Sequence, residues 1–236
     1  MIKPNIQVLD DPVPAFTQAL LDAARAVGHV ALTGGSTPKV AYEQAAQQPG
    51  AFAGAHIWFG DERCVPPDDE RSNFGMARQA LLDPIQQAEV MLGGCHRMKG
   101  ELGPDAGAED YTSQLSAAAD TGASPEFDLI LLGIGPDAHI ASMFPGQDTL
   151  HERSSLVRGV PEAGHEPYVP RITLTFPALA RARHVLVLAT GSSKAEAIGK
   201  AFGPGARPGP EAPASMLVEH VRSLTVLLDR DAAAQL

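Results

Sequence analysis

A histidine and an aspartate two positions apart, on a glycine-rich turn, are the strongest candidates for acid–base chemistry. Asp137 and His139 follow Gly133-Ile134-Gly135 at the end of an apolar run. A carboxylate beside an imidazole can orient the ring and fix its tautomer, as a general base near neutral pH requires. The spacing alone slightly favours a surface histidine that caps a helix, so both interpretations remain open at this point.

A second candidate is a turn that could bind phosphate. The segment Thr33-Gly34-Gly35-Ser36-Thr37-Pro38 lies between an apolar run and a helical pattern, and two glycines are followed there by two hydroxyl residues and a helix-starting proline. Such a turn exposes backbone N–H groups at a helix N-terminus, where anions bind. The pattern predicts a phosphate-binding loop, and an ordinary tight turn is an equally good explanation.

Charged residues also follow other apolar runs. Asp61-Glu62-Arg63 comes after one run, and Gly191-Ser192-Ser193-Lys194 brings a lysine to a helix start after another. Ligands of open parallel sheets bind beyond the carboxyl ends of the strands, so both segments are candidates. A solvated strand end is the simpler interpretation of 61–63, and 191–194 alone is weak evidence.

The dinucleotide motif matched by Gly133–Ala138 is also weak, because Pro136 removes an N–H donor and Asp137 repels a pyrophosphate.

Short apolar runs alternate with helical patterns along the chain, which is typical of a mainly parallel sheet with helices on both faces. We therefore expect an α/β fold in a single domain, residues 1–236. The predicted strands are Ile6–Leu9, His29–Leu32, Ala55–Gly60, Phe127–Ile134, Arg171–Phe176, His184–Thr190 and Leu224–Asp229. The predicted helices are Pro14–Val27, Val40–Gln47, Ser72–Leu82 with Ser72 as N-cap, Ala106–Ala119, Pro177–Ala182 and Ser192–Phe202.

Composition excludes several classes of protein. The 236 residues carry a formal net charge of −10 and no cluster of basic residues, so a nucleic-acid partner is not expected. The apolar runs are far shorter than the roughly 20 residues of a membrane helix, and the start shows no export signal, so we expect a cytoplasmic protein. Cys64 and Cys95 lack ligand spacing, which argues against a disulfide framework or a zinc site.

Taken in chain order, these segments resemble the 6-phosphogluconolactonase family. The resemblance covers nearly the whole chain and rests on Leu32–Pro38, Asp61–Pro66 with Ser72-Asn73, Gly133–Gly146, Arg171–Thr175, Gly191–Ala195 and Leu227–Asp229. It implies a Rossmann-like fold of the sugar-phosphate isomerase and deaminase type. It also implies hydrolysis of 6-phospho-D-glucono-1,5-lactone, the second step of the oxidative pentose phosphate pathway, without a metal or cofactor. The implied ligand is a small phosphosugar lactone, with neither nucleic acid nor membrane as partner.

The resemblance also implies roles for individual residues. His139 matches the family's general base, while Asp137, Asp61 and Arg63 match residues that hold the imidazole and the reacting end of the sugar acid. The implied phosphate-binding residues are Gly34, Gly35, Ser36, Thr37, Arg171 and Lys194. Together they would form the local positive pocket that an acidic protein needs in order to bind an anion.

Two alternative functions remain open, and residues at single positions bear on each of them. Glucosamine-6-phosphate deaminases share the phosphate loop and the Asp-x-His turn, but they usually carry Tyr at the position of Arg63 and Glu at that of Phe144. Both differences favour the lactonase. The family usually has Gly at the position of Ala138, so a displaced His139 would leave a non-catalytic sugar-phosphate sensor. An alanine at positive φ costs about 1 kcal/mol, which a fold of this size tolerates, so we expect the site to persist.

Overall fold

The computed structural model describes residues 1–119, 122 and 124–236, and a seven-stranded parallel sheet runs through its centre. In chain order the strands are β1 (Asn5–Val8), β2 (His29–Leu32), β3 (His56–Phe59), β4 (Asp61–Arg63), β5 (Gly94–Cys95), β6 (Phe127–Leu132), β7 (Val157–Val160), β8 (Arg171–Leu174), β9 (Ala182–Ala189) and β10 (Leu224–Leu228). The large sheet has the order β1-β10-β9-β6-β2-β3-β5. Its central strands are almost wholly buried, which explains their continuous apolar sequences.

Helices cover both faces of this sheet, and the predicted α/β class is confirmed. They are α1 (Val13–Arg25), α2 (Ser36–Ala45), α3 (Asn73–Ala77), α4 (Asp83–Gln87), α5 (Pro104–Ala117), α6 (Phe176–Leu179), α7 (Ala195–Phe202) and α8 (Leu217–His220). Ser72 is the N-cap of α3, as the sequence predicted, and its hydroxyl accepts a hydrogen bond from the Gly75 N–H at 2.9 Å. A π-helical segment, Arg78–Leu82, joins α3 to α4. No helix in the described ranges is long and apolar enough to cross a membrane.

A second, smaller sheet was not predicted. Strands β4, β8 and β7 pair antiparallel in that order, with Asp61 opposite Thr173 and Arg63 opposite Arg171. The sequence predicted 171–176 as a strand but placed no strand at 61–63. The small sheet begins one residue after β3, so it carries polar side chains from β4 and β8 to the carboxyl end of the large sheet.

Two buried tyrosines fix the carboxyl ends of β2 and β3, where the site residues begin. The Tyr42 hydroxyl accepts from the Thr33 N–H at 2.9 Å and donates to the Thr33 carbonyl oxygen at 2.8 Å. The Tyr111 hydroxyl does the same with Phe59, at 2.8 and 3.1 Å. Burial raises the pKa of both phenols well above 10, so they stay protonated and able to donate.

Candidate active site

A single cleft collects nearly all the polar residues singled out in the sequence. It lies beyond the carboxyl ends of β2 and β6, beside β4 and β8, and has a volume of about 220 Å³. This is the edge at which open parallel sheets bind their ligands. The lining residues are Thr33, Gly34, Gly35, Asp61, Arg63, Asn73, Gly133, Ile134, Gly135, Pro136, His139, Ala141, Phe144, His165, Glu166, Arg171 and Lys194.

The turn after β6 pairs Asp137 with His139. The Asp137 Oδ1 lies 2.5 Å from the His139 Nδ1 and also accepts from the His139 backbone N–H at 3.2 Å. A carboxylate can only accept, so Nδ1 carries the proton and Nε2 is the nitrogen that can take one. Burial raises the pKa of Asp137, but the hydrogen bond and charge of His139 outweigh it, and the net pKa lies below the usual value. The carboxylate therefore stays ionised beside the ring.

A glycine is needed where this turn meets the imidazole. A Cβ at Gly135 would lie 2.1 Å from the His139 ring, so any side chain there would displace the histidine. The Gly135 N–H donates to the His139 carbonyl oxygen at 2.9 Å, and the Ala138 N–H donates to the Gly135 carbonyl oxygen at 3.0 Å. These bonds close the turn around the Asp–His pair.

The turn does require positive φ at Ala138. This residue has φ of 63° and is fully buried. Its carbonyl oxygen accepts from the Ala214 N–H at 2.9 Å, which ties the turn to the segment before α8. The alanine therefore occupies the left-handed conformation without displacing His139 from Asp137.

Asp61 is buried at the junction of the two sheets. Its Oδ2 accepts from the Ser142 hydroxyl at 2.6 Å, and its Oδ1 accepts from the Asn73 side-chain amide at 3.1 Å. Asn73 also lies against the glycine turn before α2, because a Cβ at Gly34 would fall 2.0 Å from the Asn73 Oδ1. Sequence reasoning gave no role to Asn73 or Ser142, although both lie in segments that resemble the family, Ser72-Asn73 and Gly133–Gly146.

Glu62 overturns the interpretation of 61–63 as a solvated strand end. Its side chain is only 2% exposed and accepts four hydrogen bonds. The donors are the N–H groups of Arg63, Asn73 and Phe74, each at 2.7 Å, and the Ser72 hydroxyl at 3.0 Å. Burial raises the pKa of Glu62 against the effect of these donors. The carboxylate joins β4 to the start of α3, so the polar run is internal scaffolding of the site.

Three cations surround the cleft, and each donates to backbone carbonyl oxygens. Lys194 Nζ donates to Ile134 at 2.8 Å and Arg63 Nη1 to Arg71 at 2.6 Å. Arg171 donates to carbonyl oxygens in the connection between β7 and β8. Burial lowers the pKa of both Lys194 and Arg171 from their usual values. The Arg63 Nε is buried and has no partner within the described ranges, while the residue as a whole lines the cleft.

In the turn 33–38, Thr33 and the two glycines line the cleft, whereas Ser36 and Thr37 do not. Gly35, with φ of 115°, is the residue before α2, and both Gly34 and Gly35 line the cleft. Ser36 lies in an adjoining groove, and the Thr37 hydroxyl is 3.0 Å from that of Thr190. The structure thus offers backbone groups at this end of the cleft.

Two lining rings were not anticipated as cleft residues from the sequence. The Phe144 ring lies 4.7 Å from that of His139, and the ring of His165, in the connection between β7 and β8, lies 5.7 Å from it. Phe144 was considered only as a departure from the deaminases. Across the part of the chain that the structure describes, no three His, Cys, Asp or Glu side chains are grouped as a metal site would need.

The cleft and sheet define an α/β protein with a site for acid–base chemistry on a small anionic ligand. The family profile described as glucosamine-6-phosphate isomerases/6-phosphogluconolactonase matches residues 7–226. The chain belongs to this family. It is 40% identical over 221 residues to a 6-phosphogluconolactonase of Mycobacterium tuberculosis, covering 91% of this chain and 87% of that one.

Two further relatives agree over the full length. A 6-phosphogluconolactonase of Nostoc is 34% identical over 247 aligned positions, covering 100% of this chain and 99% of the relative. The solved structure of 6-phosphogluconolactonase from Trypanosoma cruzi has a TM-score of 0.84 at 29% identity, covering 100% of this chain and 98% of that one. The predicted family is confirmed.

Proposed function

We propose that this protein hydrolyses 6-phospho-D-glucono-1,5-lactone to 6-phosphogluconate, with His139 as the general base. The observation that carries the proposal is the Asp137–His139 pair, whose Nδ1···Oδ1 distance of 2.5 Å leaves the other ring nitrogen for a water molecule in a cationic cleft. The relatives named 6-phosphogluconolactonase support the substrate class. A single hydrophobic cluster reaching from Val13 to Ala232 supports the view that residues 1–236 act as one domain.

The reaction needs one proton taken and one returned. His139 Nε2 removes a proton from water as the water oxygen attacks the lactone carbonyl carbon, which gives a tetrahedral oxyanion. Collapse of this intermediate breaks the bond to the ring oxygen, and the protonated His139 returns the proton to that oxygen. Asp137 orients the imidazole and stabilises its positive charge. Water, lactone and product acid balance without a further reactant.

Arg63 and Asp61 are proposed to act at the reacting end of the substrate. Arg63 lines the cleft with its side chain held by the Arg71 carbonyl oxygen, and a guanidinium fixed in this way is suited to the developing oxyanion because it needs little reorganisation. Asp61 keeps its place through Ser142 and Asn73, and it borders the same cleft. A carboxylate there can accept a hydrogen bond from a sugar hydroxyl.

The phosphate is proposed to bind between the start of α2 and two of the cleft cations. Gly34 and Gly35 offer backbone N–H groups, and Ser36 and Thr37 begin α2, where the helix dipole favours an anion. Arg171 and Lys194 border the same cleft. Their charges would balance the phosphate of the substrate.

Phe144 argues against deaminase chemistry in this cleft. Its ring packs against the His139 ring at 4.7 Å, in the position where the resemblance placed a glutamate in the deaminases. A phenyl ring cannot transfer a proton to open a sugar ring. A solved monomeric glucosamine-6-phosphate deaminase shares the fold at 20% identity, a likeness of fold alone.

Two assays in parallel test the proposal. Acid release from freshly made 6-phosphogluconolactone should exceed the spontaneous rate, and ammonia release from glucosamine 6-phosphate should stay at background. His139→Ala should lower kcat by about 10²–10⁴-fold, the usual contribution of a general base, while circular dichroism shows a folded protein. A variant that keeps most of its kcat would remove His139 from the mechanism. Ammonia release by the wild type would favour the deaminase.

A further inference from the structure

The connection between β7 and β8, residues 161–170, forms one wall of the cleft. Half of its residues are exposed and the others half-buried. His165 and Glu166 line the cleft, and neither has a part in the proposed reaction. A Cβ added at Gly164 would fall 2.9 Å from the Phe144 Cβ. The loop therefore packs directly on the aromatic ring that borders His139.

Arg171 secures the loop from the first residue of β8. This residue is 3% exposed, and its Nε and Nη2 donate to loop carbonyl oxygens. Its Nε donates to Val169 at 3.0 Å, while its Nη2 donates to Pro167 at 2.5 Å and to His165 at 3.3 Å. A buried guanidinium with three such bonds fixes the backbone at His165, even though the loop faces solvent.

The His165 ring has one nitrogen to offer a ligand. Its Nδ1 lies 3.0 Å from the Glu166 carbonyl oxygen, and because a carbonyl only accepts, this nitrogen carries a proton. In the neutral ring Nε2 is then a hydrogen-bond acceptor. The ring centroids of His165 and His139 are 5.7 Å apart. A group bound by His165 therefore lies close to the lactone carbonyl carbon, which is attacked by the water that His139 activates.

We propose that His165 determines substrate specificity: its Nε2 accepts a hydrogen bond from the hydroxyl on carbon 2 of the lactone, next to the reacting carbonyl. The inference rests on the proposed function. Only His139 has a carboxylate that orients its ring for proton transfer, so His165 is assigned to binding. A site that accepts a hydrogen bond from a substrate hydroxyl discriminates against the analogue that lacks it.

The test compares two substrates and three variants. His165→Ala should lower kcat/KM for 6-phosphogluconolactone by about 3–10-fold, the effect of losing one uncharged hydrogen bond. For the 2-deoxy lactone, wild type and His165→Ala should have nearly equal kcat/KM. His165→Gln, which keeps an acceptor near the Nε2 position, should recover most of the loss. His151→Ala, at an exposed histidine outside the cleft, should match wild type on both lactones.

Inorganic phosphate as a competitive inhibitor separates binding at the sugar from binding at the phosphate. Its inhibition constant should be unchanged in His165→Ala, and a weaker inhibition would assign the residue to the phosphate and overturn the inference. An equal loss on both lactones, no loss on either, or a loss above about 10²-fold on both would also overturn it. Absence of hydrolysis by the wild type would overturn the proposed function and this inference together, whereas the other outcomes leave the proposed function intact.

Discussion

Replacement of Glu62 by glutamine tests whether a buried carboxylate organises the catalytic edge. The two oxygens of Glu62 divide four donors between them: Oε1 accepts from the N–H groups of Arg63 and Asn73, and Oε2 accepts from the Phe74 N–H and the Ser72 hydroxyl. Three of the partners are backbone N–H groups that can only donate, and the fourth, the Ser72 hydroxyl, can also accept. The glutamine amide must nevertheless turn its NH₂ group toward one of the two pairs.

With the NH₂ group toward the Oε2 pair, the Ser72 hydroxyl can turn to accept from the amide, and the Phe74 N–H loses its acceptor. A hydrogen bond to a charged group contributes about 1.5–3 kcal/mol, so the gross loss is of that size. Part is offset because glutamine no longer buries a charge, the same burial that raises the pKa of Glu62. We expect a net decrease of about 1–2 kcal/mol in the free energy of unfolding.

Urea denaturation followed by circular dichroism measures this change. The matched control is Glu109→Gln on the exposed side of α5, which should stay within about 0.5 kcal/mol of wild type. Lactone hydrolysis should fall as well, since the neighbours of Glu62 on β4 are Asp61 and Arg63. If Glu62→Gln unfolds within about 0.5 kcal/mol of wild type, the carboxylate does not secure α3 and the reasoning is wrong.

Three further predictions concern other residues. Lys194→Ala should weaken binding of 6-phosphogluconate by about 10–150-fold, the effect of losing one charged hydrogen bond, and equal affinities in calorimetry would count against the assignment. Ala138→Gly should change kcat/KM by less than about tenfold, because alanine already holds the required φ of 63°. Activity that appears only in this variant would favour the sensor. Burial and the neighbouring His56 and His29 lower the pKa of His96 to about 4. The unfolded chain thus takes up a proton between about pH 6.5 and pH 4 that the folded chain does not. The urea midpoint of the wild type should therefore fall as the pH is lowered through that window. The fall should be smaller in His96→Phe, and parallel plots of midpoint against pH for the two proteins would contradict the prediction.

The large sheet was predictable because its strands are apolar and locally bounded. Strand β2 has the predicted limits, His29–Leu32, because it is an apolar run between Gly28 and the turn that begins at Thr33. Ser72 was identified as an N-cap from its residue type and place, and its hydroxyl makes the expected bond. Both signals are local in the sequence, so single-sequence reasoning reaches them.

The small sheet was not predictable by the same means. Strand β4 is three charged residues, and β7 contains an arginine and a glycine, so neither has an apolar alternation. Both strands form by pairing with β8, and β8 lies far from β4 in the sequence. The same reason hides Ser142 and His165 from sequence reasoning, since their contacts join segments that have no common pattern. Asp137 and His139, which are local, could be found.

The cleft cations explain how a chain of net charge −10 can bind an anion. Among the described residues, the ion pairs of this protein leave out Arg63, Arg171 and Lys194. Each of these side chains is oriented instead by backbone carbonyl oxygens. A carbonyl dipole fixes the position of a cation without cancelling its charge, whereas a carboxylate partner would have to be displaced, at the cost of leaving a charge unpaired. Asp61 and Glu166 line the same cleft, but neither forms an ion pair with these cations, so the three positive groups can be approached by a phosphate ester.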